Sequence, residues 1–168
     1  HLPDGAAVWE MGMNHRGEIA PLAAIARPDI AVVTNVGVAH IEHLGSRDEI
    51  CAEKGDLIAA LSADGVAVFP DGDDFADDLA RRAPGRVIRP GFETGEVHAR
   101  DIVSNADGTT GFTLACGSEE APVLLPVPGR HMVSNALLAA AVGYLQDIPV
   151  TEIAGALGSF SLTGGRLA

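Results

Sequence analysis

Cysteine is nearly absent. Cys51 and Cys116 are the only two in 168 residues, too few for a disulfide scaffold or a four-cysteine zinc site. They fit a reducing compartment, and the expected location is cytoplasmic. Cations are scarce as well: 11 Lys and Arg stand against 23 Asp and Glu, for a net charge of −12. With no basic cluster in the chain, a nucleic-acid partner or an anionic membrane surface is not expected. A chain this acidic that takes a phosphate ligand is best served by a bridging divalent cation, because bare anions repel. No apolar run approaches the length of a membrane span, no signal-like leader is visible, and no membrane partner is expected. Three local signatures are also missing: the G-x-x-x-x-G-K-[ST] phosphate loop, the G-x-G-x-x-G dinucleotide turn and the G-x-S-x-G nucleophile elbow.

What remains suits a soluble α/β domain with room for a small subdomain: 47% hydrophobic residues and 20 glycines. The chain begins at His1 rather than Met and stops just after a Gly-Gly-Arg sequence, so a piece of a longer protein is expected. Ala6 to Trp9 reads as a short apolar strand ending at Glu10, and Glu18 to Ala26 as a helix with Pro21 tolerable only in its first turn. Pro28-Asp29 breaks that helix and feeds a β-branched run from Ile30 to Val33, the pattern of a buried parallel strand. Further on, Val66 to Phe69 and Val87 to Arg89 read as strands around a helix that begins near Asp73. Strand and helix alternate as in βαβ units, so the expected fold class is α/β, a mostly parallel sheet flanked by helices. The texture changes near Glu96. Extended runs at 97–104, 111–115 and 123–127, separated by Asn105-Ala-Asp-Gly108 and Gly117-Ser-Glu-Glu120, predict a small antiparallel β-meander over 96–128. Helices are expected from Met132 to Leu145 and from Thr151 to Leu157.

The stretch from Asp29 to Leu61 holds most of the chemistry. The polar loop after the Ile30 strand carries Asn35, Gly37 and His40, and Ser46-Arg-Asp-Glu49 spells a capping box that starts a helix. Ile50, Leu57, Ile58 and Leu61 fall on one face of that helix, and the missing turn of the stripe is filled by Glu53 and Lys54. The wheel puts Lys54 near the centre of the buried face. A desolvated lysine has a lowered pKa, and its neutral amine is a nucleophile that can take up carbon dioxide as a carbamate. The alternative is a lysine that snorkels its ammonium to water. Glu10, at a strand end, points toward the crevice where open α/β sheets bind ligands. Glu10, His40 and Lys54 together make a possible hard-cation site, since Mg²⁺ takes few protein ligands plus waters and substrate phosphates. Zinc competes for these donors but lacks a third and fourth ligand of its usual kind. Gly129-Arg-His131 with Asn135 one turn on offers a ring to stack and an amide to read a base edge, or an ordinary capped helix. Neither His43, in the loop before the Ser46 helix, nor His15, near Glu10, has diagnostic spacing.

Six segments in order resemble the central domain of the Mur ligases, ATP-dependent enzymes that append amino acids to the peptidoglycan precursor. They are Glu10-Met-Gly-Met-Asn-His-Arg-Gly-Glu-Ile19, Thr34-Asn-Val-Gly-Val-Ala-His40, Gly45-Ser46, Glu53-Lys54-Gly55, Gly129-Arg-His131 with Asn135-Ala136, and Gly165-Arg166-Leu167. Within the family, the Glu-Met-Gly-Met-Asn and Gly-Glu-Ile elements resemble the branch that adds D-alanyl-D-alanine. The resemblance implies ATP and two Mg²⁺ ions: one held at Glu10, the other by His40 and a carbamylated Lys54, with Asn35 in the surrounding shell. It further implies that His131 and Asn135 lie on the adenine side and that Asn14 and His15 approach the peptidyl substrate. Met132 departs from the Asn that the family commonly has beside that His. The implied small-molecule partners are UDP-MurNAc-tripeptide and D-Ala-D-Ala, and the implied protein partners are the family's N- and C-terminal domains. Without the family's phosphate loop and those domains, the 168-residue chain is expected to be inactive alone. A MurE-like or folylpolyglutamate-like ligase, and a non-catalytic Mur-like binding module, are the alternatives.

Overall fold

The computed structural model describes residues 5–37 and 45–160. Its elements run α1 (Ile19–Ala26), β1 (Ile30–Val32), α2 (Arg47–Ala59), β2 (Val66–Val68), α3 (Ala76–Arg82), β3 (Arg86–Ile88), β4 (Gly91–Phe92), β5 (Val97–Ser104), β6 (Thr110–Cys116), β7 (Glu119–Leu125), α4 (Arg130–Leu145) and α5 (Val150–Gly158). Two sheets result. One is parallel, in the order β1-β2-β3, with Ile30 opposite Val66 and Val66 opposite Arg86. The other, β4-β5-β6-β7, is mixed: β4 joins β5 in parallel, and the β5-β6-β7 ribbon is antiparallel.

The parallel sheet is covered on both faces, as parallel sheets generally are. Strand side chains alternate, so Ala31, Val33, Ala67 and Phe69 face the layer formed by α1, α2 and α3. Ile30, Val32, Val68 and Ile88 face the other way, into a second core shared with the mixed sheet, α4 and α5. Phe69 and Leu114 are fully enclosed, one in each core. Burying such a side chain stabilises the fold by about 1.5–3 kcal/mol.

One local expectation holds in part. Ser46 caps α2, its hydroxyl accepting from the Glu49 amide at 3.2 Å. The box is not reciprocal, because the Glu49 carboxylate pairs instead with Arg16 at 3.2 Å. Other expectations change. Residues 6–9 form no strand: Val8 and Trp9 are 93% and 73% exposed, and the paired neighbour of β1 among the described residues is β2. Apolar composition alone does not make a strand, since its backbone groups need a ladder partner. The turn between β6 and β7 is also tighter than the Gly117–Glu120 separator suggested. Cys116 lies opposite Glu119, leaving only Gly117 and Ser118 in the loop. Gly117 takes φ +59° there, the left-handed value a two-residue hairpin with glycine first requires. Pro122 is tolerated in β7 because that strand is an edge.

No helix among the described residues is long and apolar enough to cross a membrane. Both cysteines are buried and unpaired.

Candidate functional site

Two loops, one of them following β1, are both tied to helix α2. The first loop, residues 33–37, is held from three sides. The amide of Val36 donates to Asp73 Oδ2 at 2.7 Å, and its carbonyl accepts from Arg47 Nε and Nη2 at 3.1 and 2.9 Å. Arg47 also pairs with Asp74 at 2.7 Å and lies over the Phe75 ring, 5.0 Å from its centre. The third hold is Lys54, whose Nζ donates to the Asn35 carbonyl at 2.6 Å. Arg47 and Lys54 are seven residues apart, two turns of α2, so both reach the same loop.

Lys54 is the sole lysine of the chain. It is half-buried, not at the centre of the apolar face as the wheel suggested. Burial pushes its pKa below the ordinary lysine value, and Asp73 opposes that shift by favouring the charged form. Desolvation thus makes the amine easier to deprotonate without sealing it from solvent.

The residue at the buried position is Glu53, 5% exposed. Its two carboxylate oxygens accept from the amides of Gly17 and Ile19, both at 2.8 Å. Those amides lie at the start of α1, where intrahelical acceptors are lacking and a negative charge is favoured. Glu53 therefore ties the second loop, residues 11–18, to α2. Its importance is not apparent from the stripe, because its partners lie more than thirty residues upstream.

Asn14 and His15 sit in that second loop. Their amides donate to Glu18 Oε2 at 2.6 and 3.1 Å, and the His15 ring nitrogen Nδ1 is 3.3 Å from Glu18 Oε1. The two amide bonds are the main reason the Glu18 pKa falls below its usual value. Glu10 precedes this loop and is exposed, in a segment that forms no strand. No ion pair joins it to Lys54 among the described residues. His40, His43 and the Gly165-Arg166-Leu167 segment lie outside the described residues. Among the described residues no three His, Cys, Asp or Glu side chains gather as a metal cage.

His131 and Asn135 stand elsewhere, in the first turns of α4, and both are exposed. The helix starts after Gly129, whose φ of +104° suits glycine. A Cβ at that position would also stand 2.7 Å from the His131 ring. Asn135 and Met132 border an apolar groove of about 540 Å³ that runs between α4, α5 and the end of β7.

Residues 4–143 match the family model described as the Mur ligase middle domain. The chain is 34% identical, over 164 residues, to the UDP-N-acetylmuramoyl-tripeptide--D-alanyl-D-alanine ligase of Escherichia coli, covering 96% of this chain and 36% of that protein. It is 38% identical over 151 residues to the ligase of the same name from Mycobacterium tuberculosis, covering 89% and 30%. Among solved structures, MurF from Acinetobacter baumannii superposes with a TM-score of 0.86 at 31% identity, over 94% of this chain and 34% of that one. MurF from Thermotoga maritima, solved with ADP, gives 0.79 at 26% identity, over 93% and 36%. The chain thus spans about a third of the length of the curated relatives it matches. With the family model matched over most of its length, this chain belongs to the Mur ligase family and carries the middle domain.

Proposed function

We propose that residues 1–168 are the central, ATP-binding part of a longer amide ligase, with 96–128 as a small β subdomain. The proposed enzyme adds D-Ala-D-Ala to UDP-MurNAc-tripeptide in peptidoglycan precursor synthesis. The observation that carries the proposal is the half-buried amine of Lys54 held 2.6 Å from the Asn35 carbonyl at the end of β1. The names of the relatives supply the substrates.

Of the residues that would hold the metal, Lys54 has the chemistry that the family implies. Carbon dioxide adds to the unprotonated amine, which loses a proton and gains two carboxylate-type oxygens, and desolvation makes that form of Lys54 easier to reach. Oxygen is the donor Mg²⁺ requires, and an ammonium offers none. In this reading Glu10 would hold one Mg²⁺, and His40 with carbamylated Lys54 a second. Bound Mg²⁺ would supply charge neutralisation at phosphate oxygens and at a developing oxyanion.

The reaction is written in two steps. A carboxylate oxygen of the tripeptide attacks the γ-phosphorus of ATP, and the bond to ADP breaks, leaving an acyl phosphate. The amine of D-Ala-D-Ala then attacks the acyl carbon, and inorganic phosphate leaves as the amide forms. The chain's own part is positioning. Asp73 and Arg47 fix the backbone of the 33–37 loop, and Asn35 fixes the Lys54 amine. Asn14 and His15 face the peptidyl substrate, and His131 and Asn135 the adenine. The test is hydroxylamine trapping in the full-length product of the gene, supplied with ATP, Mg²⁺ and the UDP-tripeptide without dipeptide. A hydroxamate of the tripeptide supports the acyl phosphate; ADP formation with no hydroxamate rejects it.

A further inference from the structure

Consecutive residues of α2 hold different loops. Lys54 reaches the Asn35 carbonyl, while Glu53 reaches the amides of Gly17 and Ile19. Nearer the start of the helix the pattern repeats, with Arg47 on Val36 and Glu49 on Arg16. The first two turns of α2 are therefore a bracket with one arm on each of the two loops. Glu53 is the strongest part of the outer arm, because it is the only charged side chain among the described residues that is buried. A carboxylate at such a position is tolerated only when its oxygens are satisfied, and here each oxygen has its own backbone amide.

We propose that Glu53 is a positioning residue for the ligase reaction, a role that rests on the function proposed above. By fixing Gly17 and Ile19 to the helix that carries Lys54, it sets the separation between the Asn14–His15 loop and the Lys54 amine. The loop and the amine then meet the peptidyl substrate as one rigid unit. The cost of losing this tie falls on substrate alignment, since a displacement of about 1 Å far from the reacting bond can slow an aligned reaction about a hundredfold.

The conservative variant is informative. Glu53→Gln keeps one carbonyl acceptor but turns an NH₂ group toward a backbone N–H, so one of the two amides loses its partner. Glu53→Asp keeps both oxygens one methylene further from α1. In the full-length protein, amide hydrogen exchange should be about tenfold faster at Gly17 or Ile19 in Glu53→Gln, with Ile58 and Val68 unchanged. In the full-length enzyme, KM for the UDP-tripeptide should rise about tenfold while KM for ATP stays within about twofold, and Glu53→Asp should recover part of the loss. Unchanged exchange at both amides, or faster exchange throughout the chain, overturns the tie. An unchanged KM with kcat falling in proportion to the folded fraction overturns the positioning role. Wild-type enzyme with no dipeptide-dependent turnover rejects the ligase function itself, and the exchange rates at Gly17 and Ile19 then decide the tie on their own.

Discussion

The Nζ of Lys54 lies 2.6 Å from the backbone oxygen of Asn35, so the chain's sole lysine is bonded to the loop that follows the first strand of the parallel sheet. Burial lowers the pKa of that amine. The sign is simple: a lowered pKa brings the neutral, CO₂-reactive form to a lower pH than for a free lysine. In ¹³C-bicarbonate, NMR should show a side-chain carbamate signal that is absent from Lys54→Ala. Its amplitude should reach half its maximum below the pH at which a lysine model peptide does. A signal that survives in Lys54→Ala would assign the carbamate to the α-amino group instead.

Cys116 titrates in the opposite sense. Burial pushes its thiol up to about 11, because the thiolate is the charged form that a buried site disfavours, and Glu119 adds to the shift. Between the ordinary thiol value and about 11 the folded chain keeps a proton that the unfolded chain has lost. Stability from this group is therefore fully present below the unfolded value and lost as pH rises through the folded one. Urea titrations between pH 8 and pH 11, set to bracket this window, should show a steeper alkaline loss for wild type than for Cys116→Ala. Parallel curves would contradict the assignment.

Ser46 makes a local prediction. Its hydroxyl satisfies the Glu49 amide at the start of α2. Ser46→Ala should cost about 1 kcal/mol in chemical denaturation, with Ser46→Asp close to wild type. Equal losses in both variants would mean that the side-chain acceptor is not what matters there.

Gly85 makes a harder one. A Cβ at this position would lie 2.4 Å from the Gly65 carbonyl oxygen and 2.6 Å from that of Ala63, both backbone atoms in the turn before β2. Neither can move aside as a flexible side chain would. Gly85→Ala should lose more than about 2 kcal/mol, whereas Gly12→Ala, where the added Cβ meets open space, should lose little. Comparable unfolding midpoints for the two variants would contradict the close approach.

Features set by neighbouring residues were legible in the sequence. The Ser46 cap, the break at Pro28 and the β-branched run of β1 all depend on nearby residues and appear where the pattern places them. Features that depend on distant partners were not. Ala6–Trp9 has the composition of a strand but lacks a described ladder neighbour. The helical wheel placed Lys54 at the centre of the buried face because it counts only the apolar stripe. Packing of α1 on α2 instead buries Glu53, whose acceptors meet the amides at the start of α1. β4 is just two residues long, below any periodicity signal, and only its register against His98 and Ala99 reveals it.

In the proposed function, addition of D-Ala-D-Ala depends on Lys54. The most direct test is phosphate release by the full-length enzyme with ATP, Mg²⁺ and UDP-MurNAc-tripeptide, with and without D-Ala-D-Ala, in wild type and Lys54→Ala. The proposed function predicts release that requires the dipeptide and falls by at least about a hundredfold in Lys54→Ala. Release indifferent to the dipeptide, or undiminished in the variant, would contradict it.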